Sequence, residues 1–171
     1  KVNINTRYIT MFKRVAVVIL NWNGEKLLEQ FLPSVLSTSY PNLEIIVADN
    51  ASTDNSMQFI ADNYPSIRTI KLSENFGFAK GYNKAIEQVE ADYYILLNSD
   101  VEVSPNWIEP VIKAMEEDPL VAAAQPKIKW QKNKAQFEYA GAAGGFIDMH
   151  AYPFCRGRIF DEVESDYEQY N

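Results

Sequence analysis

The chain has 171 residues, 47% hydrophobic and 23% charged, with a net charge of −7 at pH 7. These proportions are typical of one globular domain with a sizeable core, and the acidic balance argues against a nucleic-acid or anionic-membrane surface built from clustered Lys and Arg. The single cysteine, Cys155, excludes an internal disulfide, and the single histidine, His150, excludes a Cys/His zinc site. These features favour a reducing, cytosolic environment.

The N-terminal residues precede a segment that reads like a natural start at Met11. Residues 1–10 alternate apolar and polar side chains in places, so they are either an added leader or an extra edge strand. We favour a leader and assign residues 1–13 to an extension. The apolar run that follows, at 15–20, is far shorter than the roughly 20 residues a membrane span needs.

The first half of the chain predicts two strands and two helices. The β-branched run 14–20 is typical of a strand buried on both faces, and 43–49 predicts a second such strand. Apolar residues at helical spacing predict a helix over 25–39, which Pro33 should kink or end. A short amphipathic helix is predicted over 55–64, with Asp54 as its N-cap.

The second half begins in the same alternating way. We predict a strand over 67–72, a helix over 78–90 and a strand over 93–98. Ser104 and Pro105 suit the N-cap and first position of a helix reaching about Asp118, kinked at Pro110. A fifth strand should begin within 121–130, and from 131 the pattern becomes loop-like, ending in an acidic, solvated tail.

Strands that alternate with helices predict an α/β fold, with a mostly parallel sheet between two helical layers. In such a sheet, ligands bind beyond the carboxyl ends of the strands. The predicted strands are followed there by polar residues: Asn21, Asn23, Asp49, Asn50, Asn75 and Asp100. These residue types also cap helices and form turns, but two buried strands that both end on a carboxylate favour a polar ligand crevice.

No known phosphate-binding motif follows the first strand. The sequence lacks both G-x-x-x-x-G-K-[ST] and G-x-G-x-x-G there. Gly77 and Gly81 are four residues apart, which fits a helix start and a close contact between helix and sheet. A bound nucleotide would therefore be held differently from one in a P-loop or dinucleotide site.

Several motifs in order resemble the N-terminal half of family 2 glycosyltransferases, which have the GT-A fold. They are "VAVVILNWNG", "IIVADNASTDNS", "ENFGFAKGYNKAI", "YYILLNSDVEVSPNWIEPVI" and "VAAAQPKI". The likeness is greatest to the rhamnosyltransferase-like branch. It implies a nucleotide-sugar-binding domain over 14–130, in a fold that we expect to be truncated in this chain, and a loop-rich, incomplete start of an acceptor region over 131–171.

The resemblance implies an inverting transfer of a sugar from a nucleotide diphosphate donor to a saccharide or lipid-linked saccharide acceptor, in bacterial surface polysaccharide synthesis. It matches Asp49 to the carboxylate that contacts the base or ribose, and Asp100 to a ligand of Mg²⁺ or Mn²⁺ at the diphosphate. Asn98 stands where the family often has another Asp, so the metal site has one carboxylate fewer. The implied donor-binding residues are Asn21, Trp22, Asn23, Asp49, Asn50, Asn75, Gly77, Gly81, Asn83, Asn98, Ser99 and Asp100.

The general base that such a transfer needs is not recognised in this chain, and we expect it beyond Asn171. The carboxylates weighed and set aside are Asp148, Asp161, Glu162, Glu164 and Asp166. We therefore expect donor binding without efficient transfer, and self-association through surfaces that a missing half would cover. The alternatives are a non-catalytic nucleotide-sugar-binding or assembly fragment and, less favoured, a nucleotidyltransferase.

Overall fold

A four-stranded parallel sheet is the central feature of the computed structural model, which describes residues 12–139 and 143–170. The predicted extension therefore falls almost wholly outside the described residues. The strands lie in the order β3-β2-β1-β4, and every adjacent pair is parallel. Their carboxyl ends consequently meet at one edge of the sheet. The strands are β1 (Val15–Asn21), β2 (Leu43–Asp49), β3 (Arg68–Lys71) and β4 (Tyr93–Asn98).

Four helices connect and follow these strands. They are α1 (Glu25–Leu36), α2 (Ser56–Asn63), α3 (Gly77–Ile86) and α4 (Ile108–Glu117). Pro33 lies inside α1, and the prediction that it could end this helix is wrong. The helix continues to Leu36 because Leu32 and Val35 remain buried on its inner face.

The two faces of the sheet bury different side chains. Ala16, Val18 and Ile46 form one core cluster with Tyr82 and Ala85 of α3. The alternate residues of β1, at positions 15, 17 and 19, point to the opposite face, where the buried side chains of α1 and α2 lie. The predicted three-layer arrangement is therefore confirmed.

The predicted start of the helix at Ser104 and Pro105 is wrong. The helix α4 begins at Ile108, because the carbonyl oxygen of Pro105 accepts a 2.9 Å hydrogen bond from the backbone N–H of Ser39 in place of an intrahelical donor. Pro110 lies in the first turn of α4, where a missing N–H leaves no intrahelical bond unmade.

The predicted fifth strand over 121–130 is also wrong. Residues 121–128 belong to no strand, and Lys129 makes only an isolated antiparallel bridge with Phe137. The apolar side chains of "VAAAQPKI" suit a strand, but a strand also needs a neighbour with which to pair. Residues 121–126 are exposed in this structure.

The chain divides into two compact units, with the division between Pro110 and Val111. The second unit contains two short antiparallel hairpins where the sequence predicted only loops: β5 (Gly145–Ile147) with β6 (Pro153–Cys155), and β7 (Arg158–Ile159) with β8 (Glu162–Val163). Phe137 and Ala143 are buried in a small core there, against Val163 and Tyr170. Within the described residues, no helix is both long enough and apolar enough to span a membrane.

The acidic tail is not uniformly solvated as predicted. The side chain of Asp166 is 2% exposed and lies 2.8 Å from Lys129 Nζ and 3.2 Å from Lys127 Nζ. The hydrogen bond from Lys129, together with the charge of Lys127, lowers the pKa of Asp166 to about 2. The sequence of the acidic tail does not predict this ion pair, because the two lysines lie almost 40 residues before Asp166.

Candidate functional site at the carboxyl edge of the sheet

The ends of β1 and β2 bring Asn21 and Asp49 side by side in register. Both side chains point to the α1/α2 face of the sheet, since both follow the alternation of that face. Asn98, the last residue of β4, is paired in register with Leu20, one position before Asn21. Its side chain therefore points to the opposite face of the sheet. The sheet edge therefore carries polar groups from both of its faces.

One carboxylate oxygen of Asp49 faces donors of the protein, and the other is open to a ligand. Its Oδ1 lies 3.3 Å from the backbone N of Ser52 and 3.5 Å from Asn21 Nδ2. Its Oδ2 has no hydrogen-bond partner within the described residues, and it is not among the fully buried unpartnered atoms. The residue as a whole is 6% exposed. This leaves a fixed acceptor, largely shielded from solvent, that suits a hydroxyl or N–H donor of a ligand.

Asn21 is fully buried and acts as a hub rather than as a surface ligand. Its Nδ2 donates to the hydroxyls of Ser56, at 2.9 Å, and Ser52, at 3.1 Å. Its Oδ1 is buried without a partner, and a Cβ added to Gly24 would lie 2.5 Å from that oxygen. Only glycine fits at position 24 with Asn21 in this rotamer.

The loop after β1 is fastened to the loop after β2. Asn23 has a φ of +51°, and its Oδ1 accepts from the backbone N of Thr53 at 2.7 Å and of Asp54 at 3.3 Å. Its own N–H donates to Ser52 Oγ at 2.9 Å. Trp22, one residue earlier, is 58% exposed. The loop is thus rigid, and it presents an indole ring outward beside the strand ends.

Asp54 does not occupy the predicted N-cap position, because Asn55 is the N-cap of α2. The carboxylate of Asp54 instead joins two helix starts: Oδ1 accepts from the N–H of Ser56 at 3.1 Å, and Oδ2 from the N–H of Glu25 at 3.0 Å. Burial opposes ionisation of Asp54, but hydrogen bonds from the Ser56 hydroxyl and from these two N–H groups lower its pKa.

Asn50 organises the loop that precedes α3. Its Nδ2 donates to Asn75 Oδ1 at 2.9 Å and to the carbonyl of Gly77 at 3.1 Å, and its Oδ1 accepts from the N–H of Phe76 at 3.0 Å. Asn50 is 2% exposed. Both the oxygen and the nitrogen of its amide therefore bond within the protein. Its predicted role toward the donor would be exerted through the loop that it holds.

The two glycines of α3 serve different needs. Gly77 has a φ of +72°, and a Cβ there would meet nothing within 4 Å, so its backbone conformation alone favours glycine. Gly81 is buried, and a Cβ there would lie 3.1 Å from Leu20 Cδ2 and 3.2 Å from Asn50 Nδ2. It allows the close contact between helix and sheet that the spacing of the glycines suggested.

The end of β4 carries the exposed residues Asn98 and Asp100, with Ser99 half-buried between them. Ser99 Oγ lies near Gly24, at 3.6 Å from the position of a Cβ there, so this turn adjoins the loop after β1. The charge of Asp100 acts on the phenol of Tyr82 in α3. The turn therefore lies beside both the first loop and α3.

The oxygen ligands at this turn fit Mg²⁺ or Mn²⁺ only in part. The carboxylate of Asp100 and the amide oxygen of Asn98 are the kind of ligand these cations prefer. Across 12–139 and 143–170, however, no group of three or more His, Cys, Asp or Glu side chains could hold a metal ion. A cation here would need further oxygens from a bound phosphate and from water, which is how Mg²⁺ commonly binds.

Asn83, also predicted to bind the donor, lies elsewhere on α3. It lines an open groove of about 360 Å³ with Ile86, Glu87 and Tyr94. Tyr94 is near the start of β4, four positions before Asn98. The groove thus runs beside β4 rather than across the strand ends.

Ser52 and Ser56 are site residues that the sequence analysis missed. Their hydroxyls connect Asn21 and Asn23 to the loop after β2. The signal was present in "NASTDNS", where small hydroxyl residues directly follow the strand carboxylate, but such residues are equally common in turns.

Three of the carboxylates set aside as bases, Asp148, Glu164 and Asp166, make contacts within their own unit. Asp148 Oδ1 accepts from the backbone N of His150 at 2.8 Å and of Tyr152 at 2.9 Å. Glu164 Oε2 accepts from the hydroxyl of Tyr170 at 2.6 Å, and Asp166 is ion-paired. These contacts are those of turn and packing residues.

Comparison with known proteins gives a family match and partial relatives. The family model described as Glycosyl transferase family 2 matches residues 16–161. An N-acetylglucosaminyl-diphospho-decaprenol L-rhamnosyltransferase of Mycobacterium tuberculosis (strain CDC 1551 / Oshkosh) is 30% identical over 125 residues, covering 66% of this chain and 40% of the relative. The putative teichuronic acid biosynthesis glycosyltransferase TuaG of Bacillus subtilis (strain 168) is 32% identical over 107 residues, covering 60% and 42%.

The fold is also that of a solved enzyme. The mannosyltransferase PcManGT of Pyrobaculum calidifontis, in complex with GDP-Man and Mn²⁺, superposes with a TM-score of 0.55 at 20% identity. The match covers 73% of this chain and 38% of that one. At this identity the likeness concerns the fold. The chain spans less than half the length of each of these three proteins.

Proposed function

Because the chain belongs to glycosyl transferase family 2, we propose that it binds a nucleotide-diphospho-sugar at the carboxyl edge of its parallel sheet. The observation that carries this proposal is Asp49, whose Oδ1 lies near two protein donors while Oδ2 is left open. A carboxylate oriented in this way can accept a hydrogen bond from the ribose or base of a nucleotide. Trp22 offers an exposed ring on the adjacent loop.

The diphosphate is assigned to the end of β4 in this proposal. Asp100, with Asn98 and Ser99, would hold Mg²⁺ or Mn²⁺ against the phosphate oxygens. When bound, such a cation offsets the negative charge that develops on the leaving diphosphate. Local neutralisation of this kind would also let a protein with a net charge of −7 hold an anionic donor.

The remaining donor residues have positioning roles in this proposal. Asn21 fixes the loop against Asp49, and Asn50 fixes Asn75 and the start of α3. Gly77 supplies the left-handed turn and Gly81 the close packing of α3. Asn23 fastens the first loop, and Asn83 remains a predicted contact in the groove beside β4.

We assign the whole protein an inverting sugar transfer to a saccharide or lipid-linked saccharide acceptor, in bacterial surface polysaccharide synthesis. The names of the Mycobacterium tuberculosis and Bacillus subtilis relatives, a rhamnosyltransferase and a putative teichuronic acid biosynthesis glycosyltransferase, support this assignment. We infer a cytoplasmic location, at the inner face of the membrane where the acceptor is lipid-linked. In this proposal, residues 14–130 bind the donor and 131–171 begin the acceptor region.

Calorimetric titration with UDP, GDP and dTDP, each with and without Mg²⁺ or Mn²⁺, tests the proposal. We expect one nucleotide to bind, and Asp49→Asn to weaken it about tenfold or more, because a hydrogen bond to a charged acceptor is lost. Asp62→Asn, at an exposed carboxylate of α2, is the matched control. If none of the three nucleotides binds the folded chain, the non-catalytic assembly function is favoured instead.

A further inference from the structure

Arg156 is held in place by aromatic rings rather than by a carboxylate. It follows β6, and its guanidinium carbon lies 4.7 Å from the ring centre of Phe146 and 5.2 Å from that of Tyr170. Its Nε donates to the carbonyl of Ala143 at 3.3 Å. These contacts fix the plane of the guanidinium while leaving its terminal nitrogens available.

Arg158, two residues later, is held in the same way. Its guanidinium carbon lies 4.2 Å from the ring centre of Tyr139, and its Nη1 donates to the carbonyl of Tyr139 at 2.9 Å. The residue between them, Gly157, is buried and has a φ of +87°. The two arginines therefore flank a fixed turn.

The absence of an acidic partner distinguishes these two arginines from the other two arginines among the described residues. Arg14 pairs with Glu90, and Arg68 pairs with Glu44. In the same unit as Arg156, two lysines converge on Asp166. Among the described residues, neither Arg156 nor Arg158 forms an ion pair with a carboxylate.

This isolation is unexpected because acids are abundant nearby in sequence. Five carboxylates lie between positions 161 and 168, close enough along the chain to have neutralised either arginine. The structure instead gives the arginines rings and carbonyl oxygens, which restrict their geometry without cancelling their charge. A guanidinium prepared in this way matches the planar, two-point geometry of phosphate oxygens.

We propose that Arg156 and Arg158 form a binding site for a phosphate or diphosphate group. The site lies in the second unit, and its chemistry needs no metal ion. Its residues differ from those proposed to bind the donor, Asp49 and Asp100. Since the protein as a whole is acidic, attraction must come from this local pair rather than from the overall field.

The phosphate could belong to a soluble ligand or to a lipid headgroup. The hairpin that precedes Arg156 exposes Ile147, Met149 and Tyr152, at 74%, 92% and 71%. Apolar and aromatic side chains beside an arginine suit the boundary of a bilayer. The shared chemistry is a phosphate group, and two arms of one experiment separate its sources.

In the first arm, inorganic pyrophosphate is titrated calorimetrically into the full chain in EDTA, which removes any contribution from a metal at Asp100. In the second arm, the chain is co-sedimented with phosphatidylcholine vesicles and with vesicles that also contain phosphatidylglycerol. Arg156→Gln should weaken the observed binding about tenfold or more, because charge-assisted hydrogen bonds are lost. Lys132→Gln removes the same charge at an exposed residue of the same unit and should leave binding within about twofold.

Binding of pyrophosphate identifies a soluble diphosphate as the ligand, and binding to anionic vesicles alone identifies a headgroup. The proposal is overturned if neither binds, or if Arg156→Gln and Lys132→Gln behave alike. Because Arg156 also packs on two rings, circular dichroism must show that its variant is folded. Arg158→Lys keeps the charge but loses the forked donors, and it should also weaken binding if the site is as proposed.

Discussion

Asn50 donates a 2.9 Å hydrogen bond from Nδ2 to Oδ1 of Asn75, and this bond joins the end of β2 to the loop before α3. Both residues were predicted to contact the donor directly. The structure shows that each uses its side chain to hold the other, and Asn75 Oδ1 also accepts from the N–H of Gly77. These two side chains therefore fasten the loop before α3 to the end of β2.

Asn50→Ala should lower the free energy of unfolding by about 2–3 kcal/mol, since it removes three hydrogen bonds and leaves the N–H of Phe76 without its acceptor. Urea denaturation measures the change. Asn83→Ala changes an exposed residue of α3. Its free energy of unfolding should stay within about 0.5 kcal/mol of the parent's. Equal effects of the two substitutions would show that the hydrogen bonds of Asn50 do not stabilise the loop before α3.

The sequence predicted the sheet well because buried strands are recorded in continuous apolar runs. The bounds 43–49 and 93–98 were correct. The prediction failed where structure depends on partners distant in sequence. The N–H of Ser39 bonds to the carbonyl of Pro105, so α4 starts late, and within the described residues 121–128 pairs with no strand.

The candidate site was predictable by position but not by role. The topology rule places Asn21, Asp49 and Asp100 near one edge, and the register bears this out for the first two. Sequence could not reveal which amides are buried, because Asn21 and Asn50 are held by side chains about 25 to 31 residues away, Ser52 and Asn75.

Gly77→Ala should destabilise the fold by about 1–2 kcal/mol, because a side chain at positive φ clashes with its own backbone. The surroundings add no clash, since a Cβ there meets nothing within 4 Å. Gly77→Asn should cost less, because Asn tolerates the left-handed region. Thermal denaturation of the two variants compares them. If Ala and Asn cost the same, backbone strain is not the reason for glycine at this position.

Asp100→Ala should remove the dependence of nucleotide diphosphate binding on Mg²⁺ or Mn²⁺. The residue is exposed, so the variant should fold normally and keep weak binding without metal through Asp49. Titrations with and without the cation measure the difference. Glu29→Ala removes an exposed carboxylate from α1 and should keep the full metal effect. Persistent metal dependence in Asp100→Ala would show that the cation binds elsewhere.

Self-association through β4 is expected from the contrast between the two edge strands. The strand β3 carries Arg68 and Lys71 within four residues, whereas β4 has no charged residue and exposes Leu96 at 52%. An uncharged edge favours pairing with another chain. Light scattering at increasing concentration should show species larger than a monomer.

Leu96→Lys should shift the distribution of oligomeric species toward the monomer, because a charge on an edge strand opposes pairing with another chain. Leu27→Lys, at a residue of α1 that is 38% exposed, controls for the added charge. A parent protein that stays monomeric at every concentration would contradict the expectation, as would equal effects of the two substitutions.

Stability at high pH should depend on Tyr82. Burial, reinforced by the charge of Asp100, raises the pKa of Tyr82 to about 12, and its hydroxyl donates to the carbonyl of Leu97 at 2.9 Å. Because the folded pKa lies above the unfolded value of about 10, the phenol's contribution is complete below pH 10 and is lost as the pH rises to 12. The loss should amount to about 2–3 kcal/mol.

Urea denaturation at pH 9, 10 and 11 measures the first part of this loss, about 1.4 kcal/mol by pH 11. Tyr82→Phe should be less stable than the parent at pH 9 by about 1 kcal/mol, because the hydrogen bond is gone, but its stability should fall less steeply above pH 10 since no buried phenol remains to ionise. Tyr152→Phe alters an exposed ring and should reproduce the parent's slope. Parallel curves for the parent and Tyr82→Phe would mean that ionisation of Tyr82 is not coupled to unfolding.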